Sequence, residues 1–116
     1  MLSLNKFDQI YIFRPYVDFR KGSRGLASIV QDEMQLDPFQ KYLFLFCNQH
    51  RDRIKALYWD QNGFAMWYKC LEQEKYKWPH HLDAETIVIN TKVLNRFLSG
   101  LNPWEEPHKK VNYFSV

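Results

Sequence analysis

Apolar and polar positions alternate along this chain in short blocks, and each block predicts an element. Residues 10–19, Ile-Tyr-Ile-Phe-Arg-Pro-Tyr-Val-Asp-Phe, are β-branched and aromatic and predict a strand, with Pro15 placing it at an edge or a bulge. Ser23 then stands as a helix cap. Leu26, Ile29, Val30 and Met34 follow at helical spacing, the apolar face of a helix that Asp37-Pro38 ends, because a residue before proline avoids the helical region. Tyr42–Cys47 is wholly apolar and suits a buried central strand. A polar turn over 48–52 leads into a strand at 54–59, and Asp60-Gln61-Asn62-Gly63 predicts a tight turn, since Asn-Gly tolerates positive φ.

Residues 64–71 read two ways. They fit the second arm of a hairpin, but Phe64, Trp67, Tyr68 and Leu71 fall at helical intervals and favour a short helix. Tyr76 to Trp78 predicts a brief strand stopped by Pro79, and 80–85 a polar loop before the apolar Ile87-Val88-Ile89. Asn90 or Thr91 caps a last helix whose stripe is Val93, Leu94, Phe97, Leu98 and Leu101, ended by Gly100 and Pro103. The order predicts an α+β domain over 1–101: a mainly antiparallel sheet of about four strands, helices packed on one face in a split βαβ-like arrangement, and a C-terminal helix. Residues 102–116 carry no pattern and are expected to form a loosely held tail.

Composition adds constraints. A chain of 116 residues holds one core without needing a disulfide or a metal. Aromatic residues make up 17%, a surplus that belongs either in the core or on a surface for a protein partner or for bases. The net charge of +3, from 16 Lys and Arg against 13 Asp and Glu, permits nucleic-acid binding only if the charge is grouped. It is grouped: Arg14, Arg20, Lys21 and Arg24 face only Asp18 within 14–24, and Arg51, Arg53 and Lys55 face only Asp52 within 51–55. No apolar run is long enough to span a bilayer and the N-terminus lacks signal-peptide character, so a cytoplasmic location is expected. Cys47 and Cys70 lack C-x-x-C spacing and read as reduced thiols.

The stretch Asp18-Phe19-Arg20-Lys21-Gly22-Ser23-Arg24-Gly25-Leu26 joins a strand to a helix through glycines and cations. Free amides at a helix N-terminus bind anions, Gly22 and Gly25 let a phosphate come close, and Arg20, Lys21 and Arg24 add charge-assisted contacts. An ordinary turn with solvated charges fits the same residues. It is not a P-loop, because G-x-x-x-x-G-K-[ST] is absent. Strand alternation puts Arg51, Arg53 and Lys55 on one face with Ile54 on the other, a row able to track phosphates or simply to face solvent. Adjacent His80 and His81 make a poor metal pair, and Cys47 with His50 has no second ligand pair. Asp18, Asp60 and Glu72 are the only candidates for a two-metal acidic set, yet Asp60 suits its turn and Asp18 its neighbouring cations. No catalytic residue, metal site or cofactor is expected.

Three blocks resemble the accessory TnpB proteins, the second open reading frame of insertion sequences of the IS66 family. The first is Asp18-Phe19-Arg20-Lys21-Gly22 with Gly25-Leu26, where the family reads D-M-R-K-G-x-D-G-L. The second runs from Asp37-Pro38-Phe39 through Leu43-Phe44-Leu45-Phe46 to Arg51–Asp60. The third is Gly63-Phe64, Tyr68-Lys69-Cys70-Leu71-Glu72 and Trp78-Pro79, followed by a Leu-rich helix. Phe19, Arg24 and Cys70 depart from the family's Met, Asp and Arg; Arg24 adds positive charge and Cys70 removes it near Lys69. The resemblance implies a non-catalytic role in transposition beside a separate transposase. Two modes stay open: holding element DNA through Arg20, Lys21, Gly22, Arg24, Arg51, Arg53 and Lys55, or contacting the transposase alone through Trp59, Trp67 and Trp78. A small metal-dependent nuclease is the third reading.

Overall fold

The computed structural model describes residues 3–104 and the short strand Tyr113–Ser115. Strands β1 (Gln9–Phe13), β2 (Tyr42–Cys47), β3 (Arg53–Asp60), β4 (Gly63–Cys70), β5 (Thr86–Ile89) and β6 (Tyr113–Ser115) form one sheet in the order β4-β3-β2-β1-β5-β6. Helix α1 (Ser23–Asp32) carries the chain from β1 to β2, which pair in parallel; the other neighbours are antiparallel. The α+β class and the mainly antiparallel sheet expected above are both present. Because β1 and β2 hydrogen-bond directly, however, the βαβ unit is not split.

The helices do not share a face. Ile10, Ile12, Leu43, Leu45, Ile54 and Ile87 pack against helix α2 (Thr91–Leu98) through its Val93, Leu94 and Phe97. Tyr11, Phe13, Phe44, Phe46 and Leu57 pack against Leu26, Ile29 and Val30 of α1 on the other face. Central strands that are apolar at every position need cover on both sides, which one layer of helices cannot give. The unbroken apolar run at 43–47 was the local sign of this.

Local rules explain most boundaries. Asn90 caps α2, its side-chain oxygen accepting the Val93 amide at 2.9 Å. Gly100 follows α2 with φ of +88°, the left-handed conformation that favours glycine. Helix α1 is capped by Gly22 rather than Ser23, which is its first helical residue, and no side chain bonds the cap. The helix ends at Asp32, ahead of Asp37-Pro38, where Gln35 takes φ of +57° and the Leu36 amide returns to the Val30 carbonyl.

The largest correction concerns residues 64–71. They form β4, with every residue from Gly63 to Cys70 in register against β3. Gln61, at φ of +57°, supplies the left-handed residue of a two-residue turn closed by Asp60 opposite Gly63. The helical spacing is coincidental: Phe64 packs towards α1 and Trp67 towards α2, on opposite faces of a strand. Tyr76 to Trp78 is irregular rather than a strand, yet Tyr76 and Trp78 are both buried. Of residues 102–116, Trp104 is buried with its indole N–H donated to the Lys77 carbonyl, and β6 pairs with β5; 105–112 and 116 lie outside the described residues.

Candidate functional site

The β1–α1 connection is pinned from below at several points. The Trp78 indole donates to the Arg14 carbonyl at 2.7 Å, Arg14 Nε donates to the Ala84 carbonyl at 2.9 Å, and the Val17 amide donates to the Cys47 carbonyl at 2.9 Å. The loop therefore crosses the end of β2. From β3, the Lys55 ammonium donates to the carbonyls of Phe19, at 2.9 Å, and Lys21, at 3.1 Å, and lies 4.9 Å from the centre of the Phe19 ring. Burial, with Arg53 adding, pulls the Lys55 pKa below the usual lysine range, and the two carbonyls are its compensation.

The β2–β3 turn owes its shape to Asn48. Its side-chain oxygen accepts the amides of Asp52 (3.1 Å) and Arg53 (3.0 Å), and its amide group donates to the Asp52 carboxylate at 2.6 Å. That last bond holds the Asp52 carboxyl below the ordinary carboxylate range. Segment 71–76 braces the turn from outside: the Leu71 amide reaches the Asp52 carbonyl at 2.7 Å and the Tyr76 amide the Arg51 carbonyl at 2.6 Å.

Between this turn and the β1–α1 loop lies an open cleft of about 500 Å³, with Tyr16, Asp18, Arg20, Asn48, His50 and Arg53 on its walls. One arginine from each basic stretch, Arg20 and Arg53, thus lines the same cleft, while Lys21, Arg24, Arg51 and Lys55 are not among its walls. Arg53 is exposed, with Tyr68 and Cys70 of β4 as its neighbours across the strand pair. Arg20 is 92% exposed at its side chain and pairs with Asp18 at 2.6 Å. Hydrogen bonds from Arg20 hold the Asp18 carboxyl at about 2. Any anion entering here competes with Asp18 for Arg20.

The remaining sequence candidates are placed differently. Lys21 lays its stem against Gly25, where a Cβ would stand 3.1 Å from the Lys21 Cβ, a tight contact. Nothing stands near Gly22, so the backbone there is open to approach. Arg24 is exposed on the first turn of α1, a turn with no acidic residue and no side-chain cap, so the positive end of the helix is not neutralised locally. Arg51 does not continue the β3 alternation. It sits in the turn at φ of +59°, and the expected row of three reduces to Arg53 and Lys55, the latter engaged with the loop.

The three tryptophans do not make one surface. Trp59 faces the α1 side, edge-on to Phe39 at 4.9 Å and Phe64 at 5.0 Å; Trp67 packs on the α2 side; Trp78 is 2% exposed and belongs to the core. Nor do the acids converge, since Asp60 lies at the end of β3 opposite Arg53 and the cleft, roughly 23 Å away at 3.3 Å per residue. Among the described residues, no three His, Cys, Asp or Glu side chains are grouped to hold a metal. Sequence reasoning passed over Tyr16, Asn48, His50 and Tyr68; for Tyr68 the missing signal was the strand assignment, which sets it opposite Lys55.

The two thiols differ sharply. Cys47 is fully buried in β2, and burial pushes its pKa up to about 12, whereas Cys70 is half-buried on the edge strand. A thiol reagent at neutral pH should therefore label the native protein once, promptly, at Cys70, and label Cys47 only after denaturation. Prompt labelling that survives Cys70→Ser would contradict the burial of Cys47.

The family model described as IS66 Orf2 like protein matches residues 8–109, which span strands β1 to β5, both helices and every wall of the cleft. The chain belongs to this family. As an IS66 Orf2-like protein it has an accessory role in the transposition of an insertion sequence. It is 36% identical over 94 residues to the uncharacterized protein y4jC of Sinorhizobium fredii, covering 81% of this chain and 79% of that protein. It is 28% identical over 109 residues to the uncharacterized protein y4hO of the same organism, covering 94% of this chain and 93% of that protein. No solved structure matches the chain. Among the described residues, no helix of this IS66 Orf2-like protein is long and apolar enough to cross a membrane.

Proposed function

We propose that this protein is a non-catalytic factor that holds the DNA of its insertion sequence by the phosphates and presents it to the element's transposase. The observation that carries the reading is that Arg20 of the basic loop and Arg53 at the start of β3, 33 residues apart in the chain, line one cleft. Arg20 and Arg53 line it, Lys21 and Arg24 are exposed at the start of α1, which no side chain caps, and Lys55 fastens the loop to the sheet. Clustered cations with exposed helix amides suit a polyanion that is gripped along its backbone.

The test is a binding titration against element-end DNA over a range of salt with Arg20→Gln/Lys21→Gln, after its thermal midpoint has been checked. Side-chain length is kept while charge is lost. Affinity should fall about equally for all sequences, because phosphate contacts carry no direct sequence information. The logarithmic salt slope should flatten by roughly 0.9 for each duplex phosphate contact removed. A folded variant with unchanged affinity and slope would remove the phosphate reading. The rival is an adaptor that contacts only the transposase, favoured by the exposed Phe39 beside Trp59. Retention of the transposase in high salt, with no affinity for DNA, would establish that rival.

A further inference from the structure

The outer half of the α1 face extends the cleft with a different chemistry. Strand β4 is an edge of the sheet, and on this face the rungs are Arg53 opposite Cys70, Lys55 opposite Tyr68, Leu57 opposite Met66, and Trp59 opposite Phe64. Helix α1 buries Leu57 completely but leaves Met66 39% and Tyr68 48% exposed. At the hairpin end, Phe39 is 52% exposed and packs on Trp59 and Phe64. Large exposed side chains therefore run along β4 from the cationic end to the hairpin, with successive same-face positions roughly 7 Å apart. Tyr68 stands at the junction, across from Lys55 and beside Arg53.

We infer that this face binds single-stranded DNA, with Tyr68 as a stacking platform for a base whose neighbouring phosphates lie on Arg53 and the cleft. The inference rests on the phosphate reading above and narrows it from DNA in general to unpaired strands. Charge complementarity selects the occupant: the apolar row opens onto Arg53, with Arg20 on the same cleft, as a chain that alternates flat aromatic groups with anionic links requires. In a duplex the base faces are already stacked and only edges show in the grooves, so an exposed ring beside phosphate-binding cations has no partner there. A single strand offers both groups at once.

The experiment uses the full chain and fluorescence anisotropy with a labelled oligothymidylate and with a blunt duplex of the same length. Wild type should bind the single strand more tightly, with part of its tryptophan fluorescence quenched on binding. Tyr68→Thr removes the ring and keeps β-propensity, so it should weaken single-strand binding about tenfold or more and leave duplex binding within about twofold. Tyr68→Phe should restore the wild-type value, because stacking needs the ring and not the hydroxyl. Phe39→Ala lies outside every strand and gives a second reading at the far end of the row, where a smaller loss of the same kind is expected.

Equal or tighter binding of the duplex overturns the inference and leaves the phosphate reading standing. So does a folded Tyr68→Thr with wild-type single-strand affinity. Binding of neither DNA overturns both. If Tyr68→Thr loses capture of the transposase while keeping all DNA affinity, the face belongs to a protein partner and the inference is wrong.

Discussion

Trp78→Ala is expected to cost about 3–5 kcal/mol of folding stability, the range for removing a large aromatic from a core. Against a total of roughly 5–15 kcal/mol for a domain of this kind, that leaves the protein close to unfolding at physiological temperature. Trp78 is 2% exposed, packs with its ring centre 5.8 Å from that of Phe97, and donates its indole N–H to the Arg14 carbonyl. It thus joins α2 to the start of the loop that forms one wall of the cleft. Urea denaturation followed by circular dichroism measures the change. Trp78→Phe separates the two contributions, since it keeps most of the packing and should lose about 1–3 kcal/mol for leaving the Arg14 carbonyl without its donor. A Trp78→Ala protein with a wild-type midpoint would mean that this indole is not a core group.

Lys55→Met should have the second-largest effect, and on function more than on folding. It preserves the length and apolar stem but removes the donor to the Phe19 and Lys21 carbonyls, a cost of about 0.5–1.5 kcal/mol at this partly exposed site, where water can take the ammonium's place. The loop at 18–24 then loses its tether to β3, and Arg20 and Lys21 are no longer held at the cleft. DNA affinity should fall while the salt slope changes by less than one contact's worth, because the ammonium is engaged with carbonyls and not with phosphate. Arg20→Gln/Lys21→Gln should do the reverse, flattening the slope with little change in stability. A Lys55→Met variant whose slope drops by roughly 0.9 would reassign Lys55 from a tether to a direct phosphate contact.

These two residues show where local pattern stops being informative. Lys55 looked like one cation in a row of three, and only its distance to two carbonyls from a loop 34 and 36 residues earlier in the chain shows otherwise. Trp78 looked like one of three surface tryptophans, and only the packing of α2 on the sheet shows it to be core. Residues 64–71 satisfied a helical template by coincidence, and the backbone hydrogen bonds offered by β3, eight residues in register, outweighed it.

Several features needed nothing beyond neighbouring residues. The strand at Tyr42–Cys47, the Asn90 cap, the stop at Gly100 and the family motifs all depend on chemistry within a few positions, so sequence alone carried them; it also placed the turn before β4, although Gln61 and not Asn62 or Gly63 takes the positive φ there. The same holds for the two clusters of positive charge, whose existence is a matter of composition. That Arg20 of one and Arg53 of the other line a common cleft is not. Which face each helix covers, which cations remain free and which aromatics stay exposed are set by contacts between segments tens of residues apart, and local periodicity holds no record of such contacts.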